Sequence, residues 1–218
     1  MPNTHQPFEW FSDWVEQHLL LTLTVVSIPD PVRVLAAFGP TDFDRSTLSL
    51  QSAYDLDRPS MRLGTAAEWS YAVEHASTTG GDSRVLARLT ADGGTAVSLC
   101  FTPNISGVHV ARDGDYLCGF EPASPDWMRW GSAPHAFDAE IQAAGFPGSL
   151  PTPGAPAASF LHLLTGVTLT PAMLEDPLPC ATMPGHTGTG DGSPRGAAPL
   201  VPGTLMPDPT RQGGPSDR

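Results

Sequence analysis

The sequence predicts an α+β fold: a largely antiparallel sheet with a C-terminal three-strand meander, helices packed on one face of it and a helical C-terminal end. Three observations predict it. The strand-like segments are grouped rather than alternating with helices, and Asp113-Gly114 joins two alternating runs as a tight hairpin turn. Helical periods then take over from Pro134 to Glu175.

The elements follow in order. Phe8, Phe11, Trp14 and Val15 recur at helical spacing, with Glu9, Asp13 and Glu16 on the other side. LLLTLTVVS, residues 19–27, is rich in β-branched side chains and reads as a buried strand. Asp30-Pro31 starts a helix by capping its first N–H groups; Val32, Leu35, Ala36 and Phe38 form its apolar side and Gly39-Pro40 ends it. Residues 41–60 carry no period and are expected to be a loop. SMRLGT and WSYAVEHAS, from residues 60 and 69, read as two strands. Asp82 caps a helix through Leu89, and Gly93-Gly94 makes a turn. The meander follows, TAVSLCF and then the two arms around Asp113-Gly114; Val97, Leu99, Phe101, Val108, Val110, Tyr116, Cys118 and Phe120 are expected on one face. Helices over about 134–144, with Phe137 and Ile141 inward, over 155–164 and from Pro171 complete the fold.

Residues 184–218 hold 8 Gly and 7 Pro without a period, so they are expected to form a disordered tail behind a single domain of residues 1–183. The tail's three Arg cancel its three Asp. The net charge of −12 therefore belongs to the domain, where 8 Arg face 20 Asp and Glu. An acidic body is repelled by phosphate backbones and anionic lipid, which argues against nucleic-acid and membrane partners and for a basic protein as partner.

All 11 cationic side chains are Arg, and lysine is absent. A P-loop NTPase, a pyridoxal enzyme and a protein kinase each need a lysine, so none is built here in standard form. The longest apolar run, Leu19–Val26, is far shorter than the roughly 20 residues of a membrane span, and no basic residue precedes it as in a secretory signal. A cytoplasmic location is expected. Cys100, Cys118 and Cys180 lack the spacing of a disulfide framework or zinc site, and neither metal nor cofactor is expected.

Two Asp-x-Asp-Arg quartets, Asp42–Arg45 and Asp55–Arg58, bring carboxylates together but lack a calcium-loop spacing, so they read as a solvated loop. His75 and His109 lie in strands near Glu74 and Glu121, where an imidazole and a carboxylate would make an acid–base pair if they met on one face. Nucleophile elbows, zincin motifs and dinucleotide fingerprints are absent, so no catalytic residue is assigned. The most pointed segment is Pro125–Ser132, in which Trp127 and Trp130 flank Arg129: stacking surfaces around a charged fork, or indoles covering a sheet edge.

Several stretches in order resemble a domain-of-unknown-function family of GC-rich filamentous soil bacteria: FEWFSDWVEQ, DPVRVLAAFG, WSYAVEHAS, RVLARLTADGGTAVSLCF, GDYLCGFEP, RWGS and LLTGVTLTPAMLE. The resemblance covers about residues 8–176. It implies a single domain and supplies no activity or catalytic residue. The expectation is a non-enzymatic, cytoplasmic interaction domain of immunity or regulatory type, with Trp127, Arg129, Trp130, Glu121 and His109 as binding residues. The alternative is a small-molecule-binding or hydrolytic protein with a sheet-face pocket built from Glu121, His109 and Arg129.

Overall fold

The computed structural model describes residues 6–18, 20–39, 42–104, 106–147 and 153–183. The expected tail, 184–218, lies outside them. By its contacts the chain divides into a unit of Met1–Gly185 and one of His186–Arg218, and the described residues belong to the first.

Sixteen regular elements make up the described part: α1 Glu9–Gln17, β1 Leu21–Val26, α2 Pro31–Phe38, β2 Asp42–Leu48, α3 Leu50–Tyr54, β3 Ser60–Ala66, β4 Trp69–His75, α4 Ser83–Leu89, β5 Thr95–Phe101, β6 Ser106–Arg112, β7 Asp115–Phe120, β8 Arg129–Trp130, α5 Asp138–Ala143, α6 Gly154–Thr165, α7 Pro171–Glu175 and β9 Leu178–Thr182. The nine strands form one sheet in the order β2-β9-β3-β4-β1-β5-β6-β7-β8. Every neighbouring pair is antiparallel. Mixed helices over an antiparallel sheet make the fold α+β, as the grouping of strands predicts.

The expectation that all helices lie on one face does not hold. Strand residues alternate between faces, and the two hydrophobic clusters take opposite parities. Leu21, Leu23, Val25, Val73, Val97, Leu99, Val108, Val110 and Phe120 pack with α1, α5, α6 and α7. Val26, Met61, Leu63, Ala72, Ala96 and Ala111 pack with α2 and α4. The second face misleads in sequence because much of its centre is polar: Thr22, Thr24, Ser70, Glu74 and Ser98 lie there, each at most 1% exposed.

Three further expectations are corrected. Residues 41–60 hold β2 and α3, the latter capped by the Ser49 hydroxyl, which accepts the Ser52 N–H. Neither shows an apolar period, because β2 is an edge strand and α3 is barely more than one turn. The described residues do not close on helices, since β9 follows α7 and slots between β2 and β3. In α2, Val34 takes the inward position with Leu35 and Phe38, and Val32 is exposed; the Asp30 cap on the Val32 N–H, at 2.9 Å, sets that rotation.

Helix α6 fixes the first layer. It is buried almost all round, and Gly154 lets its start approach α1 so closely that a Cβ there would lie 2.8 Å from Ser12 Cα. The Ser12 hydroxyl accepts the Ala155 N–H at 2.8 Å, supplying from α1 the N-terminal partner that α6 lacks in its own sequence.

Candidate functional site

The sheet ends at β8, and there the chain exposes its largest apolar side chains. Trp127 is 91% exposed, Met128 55% and Trp130 39%. Aromatic side chains, Trp and Tyr above all, are enriched among the residues that anchor protein interfaces.

Arg129 holds this projection in place. Its Nε–H donates to the Pro125 carbonyl, and one terminal nitrogen donates to the Pro134 carbonyl and to Asp138. The other reaches Asp126 at 3.4 Å. The planar fork thus ties both limbs of the segment between β7 and α5, and its side chain is only 9% exposed. The guanidinium also holds the Asp138 carboxyl below its usual range. Backbone bonds from Glu121 N to Met128 O, and from Trp127 N and Met128 N to Ser124 O, close the turn that carries Trp127.

Trp130 faces the opposite side of the strand, since it lies across from Gly119 whereas Arg129 lies across from Phe120. Its indole N–H donates to the Tyr116 hydroxyl at 2.6 Å, and that oxygen is 2.8 Å from His109 Nδ1. Tyr116 was expected on the face of Val110 and Cys118. A bulge in β7 pairs Tyr116 with Ala111 and sends it to the other face, where it meets His109. Gly119 makes room for this crossing: a methyl there would run into the Tyr116 hydroxyl and the Trp130 indole. His109 Nε2 is packed over Gly107, whose added Cβ would lie 2.5 Å away. Burial lowers the imidazole's pKa to about 4, so it is neutral at physiological pH.

The five binding residues expected from sequence therefore part company. Trp130 and His109 meet through Tyr116, which sequence reasoning had assigned to the core. Trp127 projects alone, and Arg129 is spent on loop carbonyls and carboxylates beneath the other face. Glu121, just past β7, has its Oε1 3.5 Å from the Ala123 N–H.

Glu74 and His75 point to opposite faces. The Glu74 carboxylate is buried and accepts the Thr79 and Gly80 N–H groups and the Ser77 hydroxyl, at 2.9, 2.7 and 2.5 Å. Burial outweighs these donors and raises its pKa to about 7. This is a carboxylate stitching the 79–81 turn onto the sheet. His75 instead meets the Tyr54 ring edge-on at 4.2 Å.

A concavity of about 500 Å³ opens between α1, α3 and α7. Gln17, His18, Ser49, Gln51, Tyr54 and Glu175 line it. Nothing in the sequence pattern singles it out, since its residues come from three short helices far apart in the chain. Among the described residues no group of three or more His, Cys, Asp or Glu is placed to hold a metal, and no helix is long and apolar enough to cross a membrane.

Fold and site together define an α+β domain with helices on both faces of one antiparallel sheet and an exposed aromatic edge. The chain belongs to the family of unknown function DUF6461, whose model matches residues 1–185. No curated protein and no solved structure matches it, so its function is unknown.

Proposed function

We propose that this protein is a non-enzymatic, cytoplasmic interaction domain, of immunity or regulatory type, that binds a basic protein through the edge formed by Trp127, Met128 and Trp130. The observation that carries the reading is Trp127, 91% exposed on a turn that Arg129 pins from beneath. The turn that carries the indole is held by Arg129 and by its own backbone bonds, so binding need not order the chain there, which lowers the cost of docking. Asp126, next to Trp127 in the chain, and Asp138, both paired with Arg129, have side chains 72% and 56% exposed, and Asp115 and Glu121 lie at the two ends of β7. Such a rim favours a partner with Arg or Lys around an apolar socket, and speeds their encounter.

The test compares wild type with Trp127→Ala and Trp130→Ala. The wild-type chain should retain a basic host protein in a salt-dependent, stoichiometric complex, and Trp127→Ala should weaken it about tenfold or more while the melting temperature stays in place. Undiminished affinity in both variants, or no retained protein at all, refutes the reading.

A further inference from the structure

The concavity between α1, α3 and α7 has a chemistry of its own, and it stands apart from the aromatic edge. Its walls are ordered by each other. The indole of Trp14, buried in the core, donates its N–H to Glu175 Oε1 at 3.1 Å, fixing that carboxylate at the end of α7. The same indole stacks on the His18 ring, with centroids 4.1 Å apart and planes 18° from parallel. His18 Nδ1 lies 2.9 Å from the Trp14 carbonyl oxygen. A carbonyl only accepts, so Nδ1 carries the proton and, in the neutral ring, Nε2 keeps its lone pair. Tyr54 closes the third side, its ring 5.9 Å from that of His18.

Glu175, His18 and Tyr54 line one space, and the second oxygen of Glu175, His18 Nε2 and the Tyr54 hydroxyl oxygen are hydrogen-bond acceptors. Glu175 is the one formal charge among the described lining residues. The cation that acts on Tyr54, Arg62, is sealed beneath at 1% exposure and donates to the carbonyls of Leu174 and Asp176. It does not reach the cavity. One fixed carboxylate among neutral polar groups, with aromatic rings beside it, suits a ligand that brings several N–H donors and a positive charge.

We infer that this cavity binds small organic cations carrying a primary ammonium or guanidinium group, with Glu175 as counter-ion and His18 and Tyr54 as the remaining hydrogen-bond acceptors. Gln17 and Gln51, whose amides offer either a donor or an acceptor, line the mouth. The inference does not depend on the aromatic edge.

The test follows the Trp14 indole N–H and His18 ring resonances of the full chain while n-butylammonium, n-butylguanidinium, butyrate or n-butanol is added at physiological ionic strength. One or both cations should shift these resonances saturably, with a dissociation constant of about 1 mM or tighter, as a ligand of this size allows. Butyrate and butanol should leave them in place. Glu175→Gln keeps an oxygen for the Trp14 indole but removes the charge, and should weaken the cation about tenfold. Tyr54→Phe, which removes one acceptor at the rim, should weaken it by a smaller factor, and Trp127→Ala should not affect it. The inference fails if neither cation shifts Trp14 and His18, if butyrate shifts them equally, or if Glu175→Gln binds as tightly as wild type. Unsaturable shifts spread over surface carboxylates, which the charge of −12 alone would produce, overturn it as well.

Discussion

Glu74 and His109, both buried on the polar face of the sheet, pull the stability of this protein in opposite directions as pH changes. Burial raises Glu74 from 4.5 to about 7, so between those values the folded chain holds a proton that the unfolded chain has released. Stability from this group falls as pH rises through that window. Burial lowers His109 from 6.5 to about 4, so over that range the unfolded chain binds a proton that the folded chain refuses, and stability rises with pH. Between 4.5 and 6.5 the two slopes offset each other. Glu74→Gln should uncover the histidine's limb, steepening the rise of unfolding free energy by about 1.4 kcal/mol per pH unit over that interval. His109→Gln should flatten or reverse the wild-type dependence. Urea titrations at several pH values check both. Gly119→Ala belongs to the same scale: its methyl competes with the bonded Tyr116 and Trp130 side chains and should cost about 1–3 kcal/mol. A neutral or stabilising result in denaturant would mean that the His109–Tyr116–Trp130 chain is loosely held.

At the scale of elements, the segment between β7 and α5 depends on one side chain. Arg129→Met keeps most of the apolar stem and removes the fork, leaving the carbonyls of Pro125 and Pro134 without their donor. Amide exchange over residues 121–137 should then quicken about tenfold or more while that of the central strands β1 and β5 is unchanged. Equal protection in the variant would show that the turn's own backbone bonds suffice. Which elements sequence reasoning found follows the same physics. Helices α1, α2 and α4 were legible because an apolar stripe and, in the latter two, a capping Asp mark them. Strand β2, at the edge of the sheet, and helix α3, barely more than one turn, were not, since neither carries a stripe. Arg129 was singled out for its place between tryptophans, but its role as a clamp rests on carbonyls that no pattern of side chains reveals. Tyr116 was misplaced by one bulged residue, which turned a core position into the link between His109 and the surface.

Over the whole molecule, the arrangement of layers was the least legible feature. Thr22, Thr24, Ser70 and Ser98 alternate with large apolar residues and so imitate a strand with one wet face. Three of these hydroxyls are satisfied inside the fold, Thr22 donating to the Ser77 carbonyl and Thr24 to the Ser98 hydroxyl, at 3.1 and 3.2 Å, whereas the Ser70 hydroxyl is buried without a partner among the described residues. With both faces covered by helices, the two proposed sites are the aromatic edge at β8 and the concavity beside α3 and α7. The acidic charge and the projecting Trp127 together make the central claim, that a basic partner docks on the β8 edge. The most direct test places a photo-crosslinking phenylalanine analogue at position 127 in the host cell, and the same analogue at the exposed Val32 on α2 as a control. A single discrete adduct with a basic protein from position 127, absent from position 32 and lost at position 127 when Arg129→Met is added, is the predicted result. No adduct from position 127, or the same adduct from both positions, would contradict it.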